Sequence, residues 1–82
     1  MSELGRDPKQ IGSIIRRARK RMGLSQTQLG DMSGLRQETI SLLENGNPAS
    51  KLETILSVLN AMDLEFQIAP RSKDGLKVEE VY

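Results

Sequence analysis

Residues 23–46, GLSQTQLGDMSGLRQETISLLENG, hold two short amphipathic runs back to back, each bracketed by glycine. Ser25 and Gln28 have the spacing of a capping box, and Leu24 can staple against Leu29. Leu35 and Ile40 repeat the staple spacing, Ile40 and Leu43 form an inward stripe, and Asn45-Gly46 supplies a stop. Each run is only about two turns long, too short to survive as an isolated helix in water. Both must therefore dock on a shared core, with Ser33-Gly34 setting a sharp angle between them. That requirement selects a helix-turn-helix.

The flanks supply the core. Asp7 can cap a first helix, Pro8 suits its first position, and Gln10 completes a capping-box spacing. Ile11, Ile14, Ile15, Ala18 and Met22 recur on one face, with Arg16, Arg17, Lys20 and Arg21 on the other and Gly23 at the end. Ser50 and Glu53 have the spacing of another box. They open a fourth helix, apolar around much of its circumference through Leu52, Ile55, Leu56, Val58, Leu59 and Met62. After Asp63 the period becomes two: Leu64, Phe66 and Ile68 alternate with Glu65 and Gln67 until Pro70.

One strand alone leaves its backbone groups unpaired. Its neighbour is either the same strand of a second chain, antiparallel across a two-fold axis, or residues 76–78 folded back through Asp74-Gly75. The apolar fourth helix and strand face favour the first, as a shared dimer core. The expected organisation is a flexible arm over residues 1–6, a helix-turn-helix domain over 7–63, a dimerisation strand over 64–70 and a mobile tail over 71–82.

Composition narrows the function classes. A chain of 82 residues buries a modest core and gains from extra support. It has no cysteine and no histidine, so a disulfide framework and a zinc site are excluded and oligomerisation is the expected support. No glycine-rich phosphate loop and no paired acids in a plausible pocket accompany them, which argues against an enzyme and against any cofactor. No apolar run reaches the ~18 residues of a membrane span, and no signal peptide opens the chain, so a soluble cytoplasmic protein with no membrane partner is expected. Residues 1–36 carry net +5 and residues 37–82 net −4, which suits two different partner surfaces or a solvated basic helix face.

Ser25-Gln26, Leu29, Ser33-Gly34-Leu35, Gln37, Thr39-Ile40-Ser41 and Leu43-Glu44-Asn45-Gly46 together resemble the phage-repressor (Cro/C1, or XRE) helix-turn-helix family. The likeness covers about residues 11–62. It implies a mainly α fold: a lambda-repressor-like bundle of four to five helices, here with one C-terminal β-strand paired across a dimer. The short fourth helix, strand and brief tail further resemble the HipB-like antitoxins.

The resemblance assigns roles by position. Helix three would lie in the DNA major groove, presenting Arg36, Gln37, Glu38 and Ser41 to base edges. Side-chain chemistry agrees: Gln37 can pair with adenine, Arg36 with guanine or a phosphate, and Ser41 with either class. Glu38 either accepts from a cytosine amino group or is an acid stabilised at a helix N-terminus. Leu42 can touch a thymine methyl group or pack at the edge. Gln26 would grip a phosphate from the start of helix two, with Thr27 and Asn45 as weaker phosphate contacts; for all three a solvated polar residue is the alternative. Arg19 and Glu44 match a structural ion pair, and Gly30 stands where the family usually has alanine.

The implied partners are double-stranded operator DNA, a second copy of the chain, and a HipA-like serine/threonine kinase toxin held inactive. Val81 and Tyr82 could contact that toxin or belong to a frayed terminus. A stand-alone XRE regulator, or an antitoxin of a HigB-like ribonuclease, is the alternative.

Overall fold

The first helix begins where a carboxylate can satisfy its open amides. The computed structural model, which describes residues 6–68 and Pro70, starts α1 (Pro8–Arg21) directly after Asp7, whose side chain accepts from the Gln10 amide at 2.8 Å. Gln10 Oε1 reaches back to the Arg6 amide (2.7 Å), so the return bond lands one residue before the cap. Then come α2 (Gln26–Ser33), α3 (Gln37–Glu44) and α4 (Leu52–Ala61). The capping box of α2 is complete: Ser25 Oγ accepts from the Gln28 amide and Gln28 Oε1 from the Ser25 amide.

Each helix contributes one aliphatic side chain to the centre. Ile15, Leu29, Ile40 and Val58 are the fully buried large residues, joined in the core by Ala18, Leu43 and Met62. Burial of each such side chain is worth roughly 1.5–3 kcal/mol, which is how two-turn helices persist here when neither would alone. The second helix packs on both α3 and α4, and α1 packs on α3.

Gly34 makes the turn. It sits at φ +73°, and the Leu35 amide after it donates to the Gly30 carbonyl at 2.8 Å, closing α2. Nothing lies within 4 Å of a Cβ built there, so substitution costs backbone energy alone. Gly34→Ala is expected to destabilise by about 1 kcal/mol, read as a thermal midpoint lower by roughly 4–8 °C.

Gly12 does something different. A Cβ on it would stand 2.5 Å from the Leu43 carbonyl oxygen and 2.6 Å from that of Glu44. This glycine is the close-approach point of α1 on the end of α3. At Gly30, the Leu35 carbonyl oxygen would meet a Cβ at 2.7 Å, so glycine in place of the family's alanine lets the turn fold tightly over α2.

Three expectations fail in detail. Met22, placed on the inward stripe, is exposed, because it is the C-cap of α1 and the chain reverses at Gly23. Ser50 caps nothing: its amide closes a turn onto the Asn47 carbonyl, and α4 starts one residue later, from Lys51, with no side-chain cap. Residues 64–68 form no strand, and no strand occurs among the described residues. A strand needs a hydrogen-bonding neighbour, and the favoured neighbour was a second chain. The tail 71–82, its hairpin alternative, and most of the arm 1–6 lie outside the described residues. No helix among the described residues is long and apolar enough to cross a membrane.

Candidate nucleic-acid interface

The phase of α3 is set by what it buries. Ile40, Leu43 and Glu44 point inward; Glu38, Leu42 and Asn45 fall on the opposite side, and Arg36 and Gln37 lie exposed at its start. Arg36 occupies the N-cap without a side-chain cap bond, so its guanidinium does no capping. Ser41 is half-buried at the edge of this surface.

Beneath that surface runs a chain of hydrogen bonds. Arg19 Nε donates to Glu44 Oε2 at 2.6 Å and Nη2 to Glu44 Oε1 at 3.0 Å, a two-pronged pair in which both residues are buried. Its remaining arm, Nη1, donates to the Leu24 carbonyl (2.8 Å), tying the turn between α1 and α2 to the end of α3. The bond to the Glu44 carboxylate raises the Arg19 pKa above its ordinary value, with burial opposing and the charge of Glu44 assisting.

Glu44 then fixes two amides that reach the surface. Gln26 Nε2 donates to Glu44 Oε1 (3.2 Å), and Gln37 Nε2 donates to Gln26 Oε1 (2.6 Å). An ionised carboxylate only accepts, so the amino group of Gln26 must face it. The Gln26 oxygen therefore faces Gln37, whose own amino group must turn toward it. Gln37 is left with its carbonyl oxygen and one N–H, the acceptor and donor that adenine requires. Gln26 keeps one N–H for an anion.

The other expected site residues are dispersed. Thr27 is exposed on the first turn of α2, within the same edge as Gln26. Asn45 Nδ2 donates to the Ser41 carbonyl at 2.8 Å, closing the last turn of α3. Arg17, Lys20 and Arg21 line an open depression on α1. Around the helix from Gly12, which faces α3, Arg17 stands about 140°, Arg21 about 180° and Lys20 about 80°. Val81 and Tyr82 lie outside the described residues. Sequence reasoning missed the Gln26–Gln37 bond, which joins two helices and has no local signature. It also passed over Gly12, although a glycine inside an amphipathic helix is itself a sign of close packing.

The helix-turn-helix family model HTH_3 matches residues 15–68. An uncharacterised HTH-type transcriptional regulator of Sinorhizobium fredii, y4dL, is 39% identical over 61 residues, 74% of this chain and 31% of that protein. One of Haemophilus influenzae is 36% identical over 53 residues, 65% of this chain and 54% of that protein. The chain thus spans about a third and about half the length of these two relatives. Among solved structures, HipB in a HipA–HipB–O2–O3 complex superposes with a TM-score of 0.79 at 26% identity, covering 87% of this chain and 100% of that one. The restriction-modification controller protein C.AhdI from Aeromonas hydrophila superposes at 0.67 with 34% identity, over 72% of this chain and 86% of that one. The fold, the motif positions and the family match agree: the chain belongs to the helix-turn-helix family of Cro/C1 (XRE) type.

Proposed function

We propose that this chain is a sequence-specific DNA-binding transcriptional repressor, in which α3 enters the major groove and Gln26 grips the backbone beside it. The carrying observation is the pair of oriented amides: Gln37 presents an adenine-reading donor and acceptor, held there by Gln26 and the buried Glu44. Arg36, Glu38 and Ser41 flank it toward the bases, and Thr27 and Asn45 toward the phosphates. The likeness to HipB and to a restriction-modification controller supports this reading.

One domain of this size reads few base pairs, and two-fold half-sites call for a dimer. Leu64, Phe66 and Ile68 are exposed, as are Leu52 and Leu56 on α4. A second copy pairing strands over residues 64–70 would cover this apolar surface.

Duplex binding measured across salt concentration tests the function: contacts to phosphate give a steep fall in affinity as salt rises. A salt-independent or absent interaction would overturn it. Gln37→Ala is expected to erase discrimination at one base pair, a loss of about 1–3 kcal/mol for the preferred base. Gln26→Ala should weaken every sequence, and because the two amides touch, their double-mutant cycle should show coupling of about 0.5–3 kcal/mol. Equal losses on all probes from both single variants would remove base reading from α3.

The repressor further serves as the antitoxin of a HipBA-like module, holding a HipA-type serine/threonine kinase inactive. Support comes from the match that spans the whole HipB chain in the HipA–HipB complex. Co-purification with a co-transcribed kinase tests it, and deletion of residues 71–82 tests whether Val81 and Tyr82 contribute. The higher identity to the controller protein and to the two HTH-type regulators favours the second reading, a stand-alone regulator. Absence of a neighbouring toxin gene would decide for it.

A further inference from the structure

Asparagine stands at 45, 47 and 60, and only Asn45 precedes a glycine. The backbone nitrogen after an asparagine can attack the side-chain carbonyl carbon, and a glycine nitrogen is the least hindered, with no Cβ beside it. Pro48 after Asn47 has no N–H to give up, and Asn60 lies inside α4. Asn45 is exposed, at the C-cap of α3.

The fold requires this reactive pair and holds its two halves apart. Gly46 has φ +83°, and a Cβ on it would stand 2.8 Å from the Cα of Lys9 in the first turn of α1, so glycine is the residue that fits. Both reacting groups are engaged: Asn45 Nδ2 donates to the Ser41 carbonyl (2.8 Å), and the Gly46 amide donates to the Leu43 carbonyl (3.1 Å). Ring closure needs the Asn45 Cβ eclipsed with the Gly46 nitrogen about the Cα–C bond. At ψ 4° the Asn45 nitrogen holds that position instead. The ring therefore closes only when residues 45–46 leave their turn, a local opening that the start of α1 resists while it lies against Gly46.

We propose that Asn45-Gly46 is a self-modification site, gated by the corner where the start of α1 meets the end of α3. When the corner opens, the Gly46 nitrogen bonds to Asn45 Cγ, and the side-chain nitrogen departs as ammonia with the amide proton. Water then opens the cyclic imide at either carbonyl, giving aspartate or isoaspartate; it is the only co-reactant. Both products place a carboxylate at the negative end of the α3 dipole, and neither carboxylate can donate to the Ser41 carbonyl. Isoaspartate also adds a methylene to the main chain next to Glu44. Loss of duplex binding through phosphate repulsion follows, a consequence that rests on the DNA reading proposed above.

The test incubates the full chain and a peptide of residues 41–50 in parallel at neutral pH and follows conversion at Asn45 by mass in peptide maps. Two hydrogen bonds that must open should make the chain about 5- to 150-fold slower than the peptide. Asp7→Ala removes the cap of α1 and should speed conversion in the chain by about 2- to 5-fold. Asn45→Gln, which must close a larger ring, should remain unconverted. The converted chain, separated by ion exchange, should show a lower urea midpoint and a loss of duplex affinity that is largest at low salt. Conversion of the chain as fast as the peptide overturns the gate, as does an unchanged rate in Asp7→Ala. No conversion in either chain once the peptide has reacted completely overturns the site. Equal duplex affinity of converted and fresh chains overturns the loss of binding, whereas a fresh chain that binds no duplex overturns the DNA reading and not the site.

Discussion

Glu44→Ala is expected to remove a large share of the stability of the fold. The substitution leaves the Arg19 guanidinium buried, with only the Leu24 carbonyl as partner. Stranding one member of a buried pair costs about 3–5 kcal/mol. At roughly 0.05–0.15 kcal/mol per residue, a chain of this length has about 4–12 in total. The urea midpoint should fall by about 2 M or more if the slope is 1–2 kcal/mol/M, with protein concentration held fixed because the proposed dimer would contribute.

The double substitution Arg19→Met with Glu44→Leu separates the causes. Two apolar side chains of similar size strand no charge, and such replacements are often neutral or stabilising, so the midpoint should return close to its original value. DNA reading should not return with it. Without an acceptor-only carboxylate behind it, the Gln26 amide is free to turn over, and Gln37 loses the partner that orients it. A double variant as unstable as Glu44→Ala would show that the stranded charge is not the cause. One that discriminates bases as well as the original would show that the ion pair has no positioning role.

Gly12→Ala is the second large effect, and its sign runs against helix propensity. Alanine in place of glycine inside an exposed helix gains about 1 kcal/mol. Here the added methyl would meet two carbonyl oxygens at 2.5 and 2.6 Å and the Glu44 carbonyl carbon at 2.8 Å. These are backbone atoms of α3 and cannot rotate away, so α1 must move off α3. Overpacking of this kind costs about 1–3 kcal/mol and sometimes more. A net loss near 2 kcal/mol should appear as a lower urea midpoint. The displacement also pulls on the Arg19–Glu44 pair, with Arg19 about two helical turns along α1, so base discrimination should fall together with stability. A variant more stable than the original would mean that α1 and α3 do not approach closely.

Local chemistry was readable residue by residue. The Ser25–Gln28 box, the Asp7 cap and the Gly34 reversal depend on neighbours within a few positions, and all three form as expected. The four-helix order follows from those signals and from apolar spacing. Ser50 failed because a competing turn at Asn47 takes its amide, which spacing alone does not reveal. Met22 failed because apolar periodicity continues past the point where the chain turns out of the helix. The strand failed within one chain because period two describes side chains, while a strand also needs a partner for its backbone.

The sequence by itself determined that two short capped helices must share a core, where they start and turn, and which side chains face outward from the second. Those outcomes depend on backbone preference and helical phase, both short-range. Only the tertiary structure decided that Gly12 is a contact point and that Arg19, Glu44, Gln26 and Gln37 form one hydrogen-bonded chain. These residues are separated by 11 to 25 positions in sequence along that chain. Their meeting depends on how helices cross, because hydrogen bonds act over about 3 Å and no local pattern carries that distance.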